Sequence, residues 1–281
     1  MPSTPPVVLT IAGFDPSCGA GVTADIKTIA AHRCYGVACI TALTVQSTAG
    51  VRRVDPVSPQ LVCETLEELA SDVDIAAVHI GMLASEEIVE AVAGFLAARK
   101  LPNVVLDPVI RSSSGTRLLS ESGIRSLVAK LLPLAAVVTP NVDEAAILTG
   151  LAVGNPEQIR EAAARLHGLG SAAVVITGGH LEQAVDLLSI AGGHGPEVLP
   201  AEKLQSNSTH GTGCAFATAL ACNLALRANL GQAVRLAKDY VTAAISNAYP
   251  LGTGTGPVNH LYGMGKAGTT IADAGNAQGS G

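Results

Sequence analysis

Along the chain, short apolar runs alternate with longer stretches whose apolar positions recur every three or four residues. VVLTIAG (7–13), VACITALTVQ (37–46), AAVHIGM (76–82), NVVLDPV (103–109), AAVVTPN (135–141) and AAVVITGG (172–179) are the strand-like runs. Between them lie helical patterns: VTADIKTIAAHRC, VSPQLVCETLEELASDV, SEEIVEAVAGFLAARK, a stretch from Ser120 to Leu132, and one ending in ARLHGLG. Strand–helix alternation of this kind predicts a largely parallel sheet, whose strands are near-continuously apolar because both faces are covered. Around Ala184 to Val198 the rhythm changes to two brief strands joined by a Gly-rich turn, which predicts an antiparallel hairpin at one sheet edge. Two helices then follow. From Gly265 to Gly281 the residues are Gly, Ala and small polar types with little to bury, and this segment reads as a disordered tail.

Composition narrows the picture without changing it. Hydrophobic residues are 48% of 281 and charged residues 14%, so most elements must be buried on more than one side, and one domain over residues 1–264 is expected. No apolar run is long enough to span a membrane, and no basic segment precedes an apolar one at the N-terminus, which sets the expected location as the cytosol. The six cysteines form no CxxC pair, which speaks against zinc and fits a reducing compartment. A net charge of −6 with 2% aromatics lacks both the basic stripe and the stacking surfaces of a nucleic-acid binder.

Candidate chemistry collects where the strands end. In open α/β sheets the ligand crevice lies beyond the carboxyl ends of the strands, and AGFDPSCGAG, TVQST, GMLAS, DPVIRSSSG, TPNVDEA and TGGH all follow strand-like runs. Neither the dinucleotide pattern G-x-G-x-x-G nor the P-loop pattern with Gly-Lys-Ser/Thr occurs. Gly211-Thr212-Gly213 opens a helix, and such a turn lets backbone N–H groups and the helix dipole face an anion; a plain loop before a packed helix is the other reading. Cys214 stands in the first turn of that helix. There its thiolate is stabilised and it can serve as a base, or it is a small inert hydrophobe. Asp107, Asn141 and Glu144 leave adjacent strand ends; carboxylates beside a phosphate site imply Mg²⁺, while capping a turn or a helix is the alternative.

Taken in order, AGFDPSCGAGVTADIKT, TALTVQST, GMLAS, DPVIRSSSG, TPNVDEAAILTG, TGGH, STHGTGC and GPVNHLYGM resemble the hydroxymethylpyrimidine/phosphomethylpyrimidine kinases from about Val7 to Met264. The resemblance implies a three-layer ribokinase-like α/β fold and phosphorylation, with ATP and Mg²⁺, of 4-amino-5-hydroxymethyl-2-methylpyrimidine and then of its monophosphate in thiamine biosynthesis. It implies an aminopyrimidine site at Gly13, Asp25, Gln46, Met82 and Val109. It also implies ATP and metal handling by Asp107, Asn141, Glu144, Thr177 and Gly179, with Asp107 and Glu144 on Mg²⁺ directly or through water. Gly211, Thr212 and Gly213 match the family's anion hole and Cys214 its candidate base. A homodimer is implied as well.

Two positions depart from the family pattern. Thr177 and Ser114 stand where the resemblance leads one to expect lysine, and Arg111 is a candidate to replace the missing charge. A pyridoxal kinase of the same superfamily, and a binding protein that has lost transfer, are the competing readings. Gln46 and the pocket wall discriminate the first, and absence of any phosphate transfer the second.

Overall fold

The computed structural model describes residues 4–178, 185–193, 195–200 and 206–264. Nine strands form one sheet in the order β3-β2-β1-β4-β5-β6-β7-β8-β9. Those strands are β1 (Val7–Phe14), β2 (Tyr35–Ser47), β3 (Gly50–Pro56), β4 (Ile75–Ile80), β5 (Val104–Leu106), β6 (Val137–Val138), β7 (Ala173–Ile176), β8 (Val185–Ile190) and β9 (Glu197–Pro200). From β2 to β7 every pairing is parallel, whereas β3 at one edge and β8 and β9 at the other run antiparallel.

Successive strand residues face opposite ways, and each side has its own core. Leu9, Ile11, Val78, Ile80, Leu106, Val138, Val174 and Ile176 point to one face. Covering it are α2 (Pro59–Asp72), α3 (Glu86–Arg99), α4 (Glu121–Ser126), α5 (Val142–Thr149) and α6 (Pro156–Gly168). Val8, Ala77, Val105, Val137, Ala173 and Val175 point to the other, under α1 (Gly21–Ala31), α7 (Thr212–Ala225) and α8 (Leu230–Ser246). This is the three-layer arrangement that the strand–helix rhythm predicts, and the edge hairpin read around Ala184 to Val198 is β8 and β9. The tail expected at 265–281 lies outside the described residues.

Side-chain caps explain where the helices begin. Ser58, Ser85, Ser120, Asn141, Asn155 and Asn229 each accept from a first-turn N–H, which satisfies a donor the helix itself leaves free. The helical stretch from Ser120 to Leu132 is broken differently from the expectation. After α4 it widens into a π-turn over Leu127–Leu131 and tightens into a 3₁₀ turn over Leu132–Leu134. Pro133 has no N–H to continue an α-helical ladder, so the chain leaves the helix there.

Strand β3 has no counterpart in the sequence reading. GVRRVDP carries no period-2 apolar face, and it is ordered by pairing with an extended β2 that projects past the rest of the sheet. The register of that pair slips between Val45 and Gln46. A slip of this kind bends the strand and re-aims its side chains.

Candidate active site

The chain runs from β1 to β2 and β3 on one side, then crosses to place β4 on the other side of β1. Such a reversal opens a crevice above the carboxyl ends of the central strands. Gly13 and Met82 meet there. A Cβ on Gly13 would stand 3.0 Å from the Met82 sulfur, so a side chain at 13 would displace the wall the sulfur forms. Thr41 holds that wall by donating to the Met82 carbonyl at 2.6 Å. Gln46 and Val109, half-buried, stand at the ends of β2 and beyond β5.

Asp25 does not line this crevice. It is fully buried, its Oδ1 accepting from Thr218 at 2.8 Å and its Oδ2 from Thr10 at 2.6 Å, with His79 Nδ1 3.2 Å from the same Oδ2. Asp25, which the resemblance places near the pyrimidine, stands in a buried polar cluster beneath the crevice. That cluster spans α1, β1, β4 and α7, and residues so far apart in sequence gave no signal of meeting.

Above the cluster lies the glycine turn. Gly211 has φ +80°, and a Cβ there would fall 1.8 Å from the carbonyl oxygen of Gly19, so only glycine lets these two loops touch. No side chain caps α7, and the Gly211 carbonyl already accepts from Ala215 at 2.8 Å. The Thr212 N–H reaches the Thr209 carbonyl at 3.4 Å, and no side-chain oxygen takes the other first-turn N–H groups.

Cys214 is half-buried in that turn. The helix N-terminus does not lower its pKa as the sequence predicts. Burial pushes the thiol well up, the charges of Asp107 and Asp25 add to this, and the N–H of Gly21 opposes it too weakly to win. Desolvation and two nearby anions outweigh a half-unit of helix dipole, since all three disfavour a thiolate most strongly where water is excluded.

Asp107 and Glu144 are buried carboxylates side by side in the electrostatic sense. Burial pushes Asp107 up to about 6; His79 opposes the shift, Asp25 reinforces it, and a hydrogen bond with Cys214 opposes it. Burial and then the charge of Asp107 push Glu144 up to about 8, against hydrogen bonds from the Asn141 and Ile110 N–H groups. Asn141 and Glu144 also form a capping box: Asn141 Oδ1 accepts from the Glu144 N–H at 2.9 Å, and Glu144 Oε2 accepts from the Asn141 N–H at 3.1 Å. The capping reading and the site reading of these two residues hold together.

Thr177 pairs beside Asn141, its N–H donating to the Pro140 carbonyl at 3.0 Å. Next to it the Gly178 N–H donates to Asp186, whose other oxygen accepts from Lys238 at 2.8 Å. Gly179 lies outside the described residues. Arg111 is exposed and donates to the Gly115 carbonyl at 3.4 Å, while Ser114 packs against the β2–β3 turn at Gly50. The structure does not turn Arg111 into the crevice.

Three site residues were not singled out in sequence. Asp15, His79 and His210 are buried, and Asp15 and His210 meet with His210 Nε2 donating to Asp15 Oδ2 at 2.9 Å. Signals existed for two of them. Asp15 directly follows β1 and precedes a proline, and His210 abuts the glycine turn. A cavity of about 130 Å³ lies beside His210, lined by Gln46, Ser112, Ser113 and Ser114 among others.

The profile of the phosphomethylpyrimidine kinase family matches residues 15–259. A hydroxymethylpyrimidine/phosphomethylpyrimidine kinase of Streptomyces coelicolor is 44% identical over 266 residues, covering 94% of this chain and 98% of the relative. Among solved structures, the pyridoxal kinase of Bacillus subtilis, in an ADP complex, is similar with a TM-score of 0.83 at 34% identity, covering 92% of this chain and 98% of that one. The phosphomethylpyrimidine kinase of Clostridium difficile follows at TM-score 0.77 and 36% identity, covering 85% and 99%. The chain belongs to the phosphomethylpyrimidine kinase family.

Proposed function

Starting from that membership, we propose that the protein phosphorylates 4-amino-5-hydroxymethyl-2-methylpyrimidine with ATP, and then its monophosphate, in thiamine biosynthesis. The observation that carries the assignment of roles is the meeting of the uncapped α7 turn with Asp107 at the crevice between β1, β4 and β5. Gly13, Met82, Val109 and Gln46 bound the pyrimidine side. Gln46 offers a donor and an acceptor to a ring edge that carries both. The first-turn N–H groups at Gly211, Thr212 and Gly213 hold the charge that develops on the transferring phosphoryl group.

Asp107 and Glu144 suit Mg²⁺. Two carboxylates whose pKa values burial raises, Glu144 further by the charge of Asp107, are held at a cost that a cation relieves. Among the described residues no group of three or more His, Cys, Asp or Glu side chains forms a metal cage. This fits a cation that keeps water and nucleotide phosphates as its other ligands. Bound there, it would neutralise phosphate charge. Asn141 caps α5 and holds Glu144 in place, and Thr177 borders the same strand ends.

In the first step Cys214, whose thiol is protonated at rest and hydrogen-bonded to Asp107, passes its own proton to that carboxylate as the alcohol proton moves onto the sulfur. In the second step the accepting phosphate oxygen is already ionised, so a base has little to remove. A homodimer in the cytosol completes the proposal. The exposed Tyr35, Ile40, Leu43 and Val45 along β2 support the dimer, and no helix among the described residues is long and apolar enough to cross a membrane.

Incubation with Mg-ATP and, separately, the aminopyrimidine alcohol, its monophosphate and pyridoxal tests the assignment. Formation of both mono- and diphosphate products from the pyrimidines is expected. Turnover of pyridoxal alone would move the protein to the vitamin B6 kinases, and binding without transfer would make it a pyrimidine-binding protein.

A further inference from the structure

Asp15 can only accept. Its Oδ1 takes the Ser17 N–H at 2.8 Å and the Ser17 hydroxyl at 2.7 Å, and its Oδ2 takes the N–H groups of Gly19 at 3.2 Å and Ala20 at 2.9 Å. Burial alone would raise the carboxyl; hydrogen bonds from His210 and Ser17 outweigh that and hold it below its usual range. An ionised carboxylate surrounded by donors requires that His210 Nε2, 2.9 Å from Oδ2, carry a proton.

The same Nε2 lies 3.2 Å from Gln46 Nε2, with Gln46 Oε1 on the side of Thr44, and which end of an amide is nitrogen is decided by the hydrogen bonds around it. The one proton on His210 Nε2 points to Asp15 and can be shared with an amide oxygen but not with an amide N–H, so the amide presents its oxygen to His210. The opposite end of the amide gives the same answer independently. It lies 3.3 Å from Thr44 Oγ1, whose single proton is committed to the Phe14 carbonyl at 3.0 Å, so Thr44 can only accept from an amide N–H. Oxygen toward His210 and nitrogen toward Thr44 is the one orientation that satisfies both neighbours.

We infer that Asp15 and His210 fix which way round Gln46 presents its amide, which makes His210 a specificity-positioning residue for a ring bearing an acceptor nitrogen beside an exocyclic amine. Oriented in this way, Gln46 keeps one N–H and the second lone pair of its oxygen for the ligand, the complement of such an edge. A freely flipping amide would welcome donor–acceptor patterns of either sense. The register slip at Val45/Gln46 turns the side chain toward His210 and the cavity they share, and neither residue reaches its partner through local sequence. The inference rests on the pyrimidine reading proposed above.

The test compares wild type, His210→Met and His210→Gln on the aminopyrimidine alcohol and on the same pyrimidine without its amino group. Methionine removes the donor, whereas glutamine carries an amide N–H to about the position of Nε2. His210→Met is expected to raise KM for the aminopyrimidine about tenfold, the scale of one lost hydrogen bond, with a much smaller change in kcat. KM for the deamino analogue should move less than about threefold, so discrimination between the two collapses. His210→Gln should recover most of it. Equal loss on both substrates, a loss confined to kcat, or undiminished discrimination in an active His210→Met variant would each overturn the inference while the functional reading stands. A wild-type chain that phosphorylates neither pyrimidine would overturn both.

Discussion

His79 Nδ1 and Asp25 Oδ2 lie 3.2 Å apart with neither side chain exposed to solvent. The pair sits under the crevice, bridged by Thr10 and Thr218 and within electrostatic reach of Asp107.

Removing one member leaves the other charge buried alone. His79→Leu is expected to cost about 3–5 kcal/mol in urea denaturation. Burial lowers the His79 pKa, but the charge of Asp25, its hydrogen bond and the charge of Asp107 together raise it above the ordinary value of 6.5. Stabilisation by the protonated ring is then complete below about pH 6.5 and fades as pH climbs through the raised folded-state value. The gap between wild type and His79→Leu should accordingly be widest near pH 5.5 and narrow toward pH 9. A gap that widens with pH would show that the ring is neutral in the folded protein.

Glu144 gives the opposite slope. Its folded-state pKa of about 8 stands above the ordinary 4.5, so between those values the fold loses stability as pH rises, because the unfolded chain releases a proton that the folded one keeps. Glu144→Gln removes that charge and forfeits one accepted hydrogen bond. The melting temperature of the variant relative to wild type, measured without nucleotide or Mg²⁺, should become more favourable from pH 5 to pH 9, while turnover with Mg-ATP falls at least about tenfold. An unchanged difference across that range would mean that the carboxylate is not raised.

Gly211→Ala places a Cβ against a carbonyl oxygen in a left-handed backbone. The conformation alone costs roughly 1–2 kcal/mol, and the loops at Gly19 and Gly211 must also part. A melting temperature lower by at least about 4 °C, with phosphate transfer lost, is expected. A fully active variant would show that the two loops separate without consequence for the anion hole.

Cys214→Ala separates the two phosphorylations. A base worth about 10²–10⁴-fold should be missed in transfer to the alcohol and hardly at all in transfer to the monophosphate. Single-turnover rates on each substrate decide this. Equal losses would assign Cys214 to the shape of the anion hole instead of to proton transfer.

Elements that bury an apolar stripe were legible in the sequence. The runs at Val7, Ala76, Val104 and Val137 became parallel strands because each must be covered on both faces, and the capping read as one alternative for Asn141 and Glu144 is present. Strand β3 was not legible. Its residues are mostly exposed and carry Arg52, Arg53 and Asp55, so only pairing with β2 gives it a reason to be extended.

The site divides in the same way. Which residues stand at strand ends follows from chain order, as it does for Gly13, Gln46, Met82, Asp107 and Asn141. Their charge states do not follow. A cysteine at a helix N-terminus predicts a lowered pKa by local rules, yet burial beside Asp107 and Asp25 reverses the sign.

What the sequence by itself determined is therefore everything set by period and neighbourhood along the chain: layered α/β architecture, the edge hairpin of β8 and β9, helix starts, and the family to which the motifs belong. Tertiary structure alone decided that Asp25 is buried under His79, Thr10 and Thr218, that His210 turns Nε2 toward Asp15, and that Gln46 stands beside it. Those properties depend on solvent exclusion and on partners brought together across separations as long as the 195 residues between Asp15 and His210. Periodicity carries no record of either.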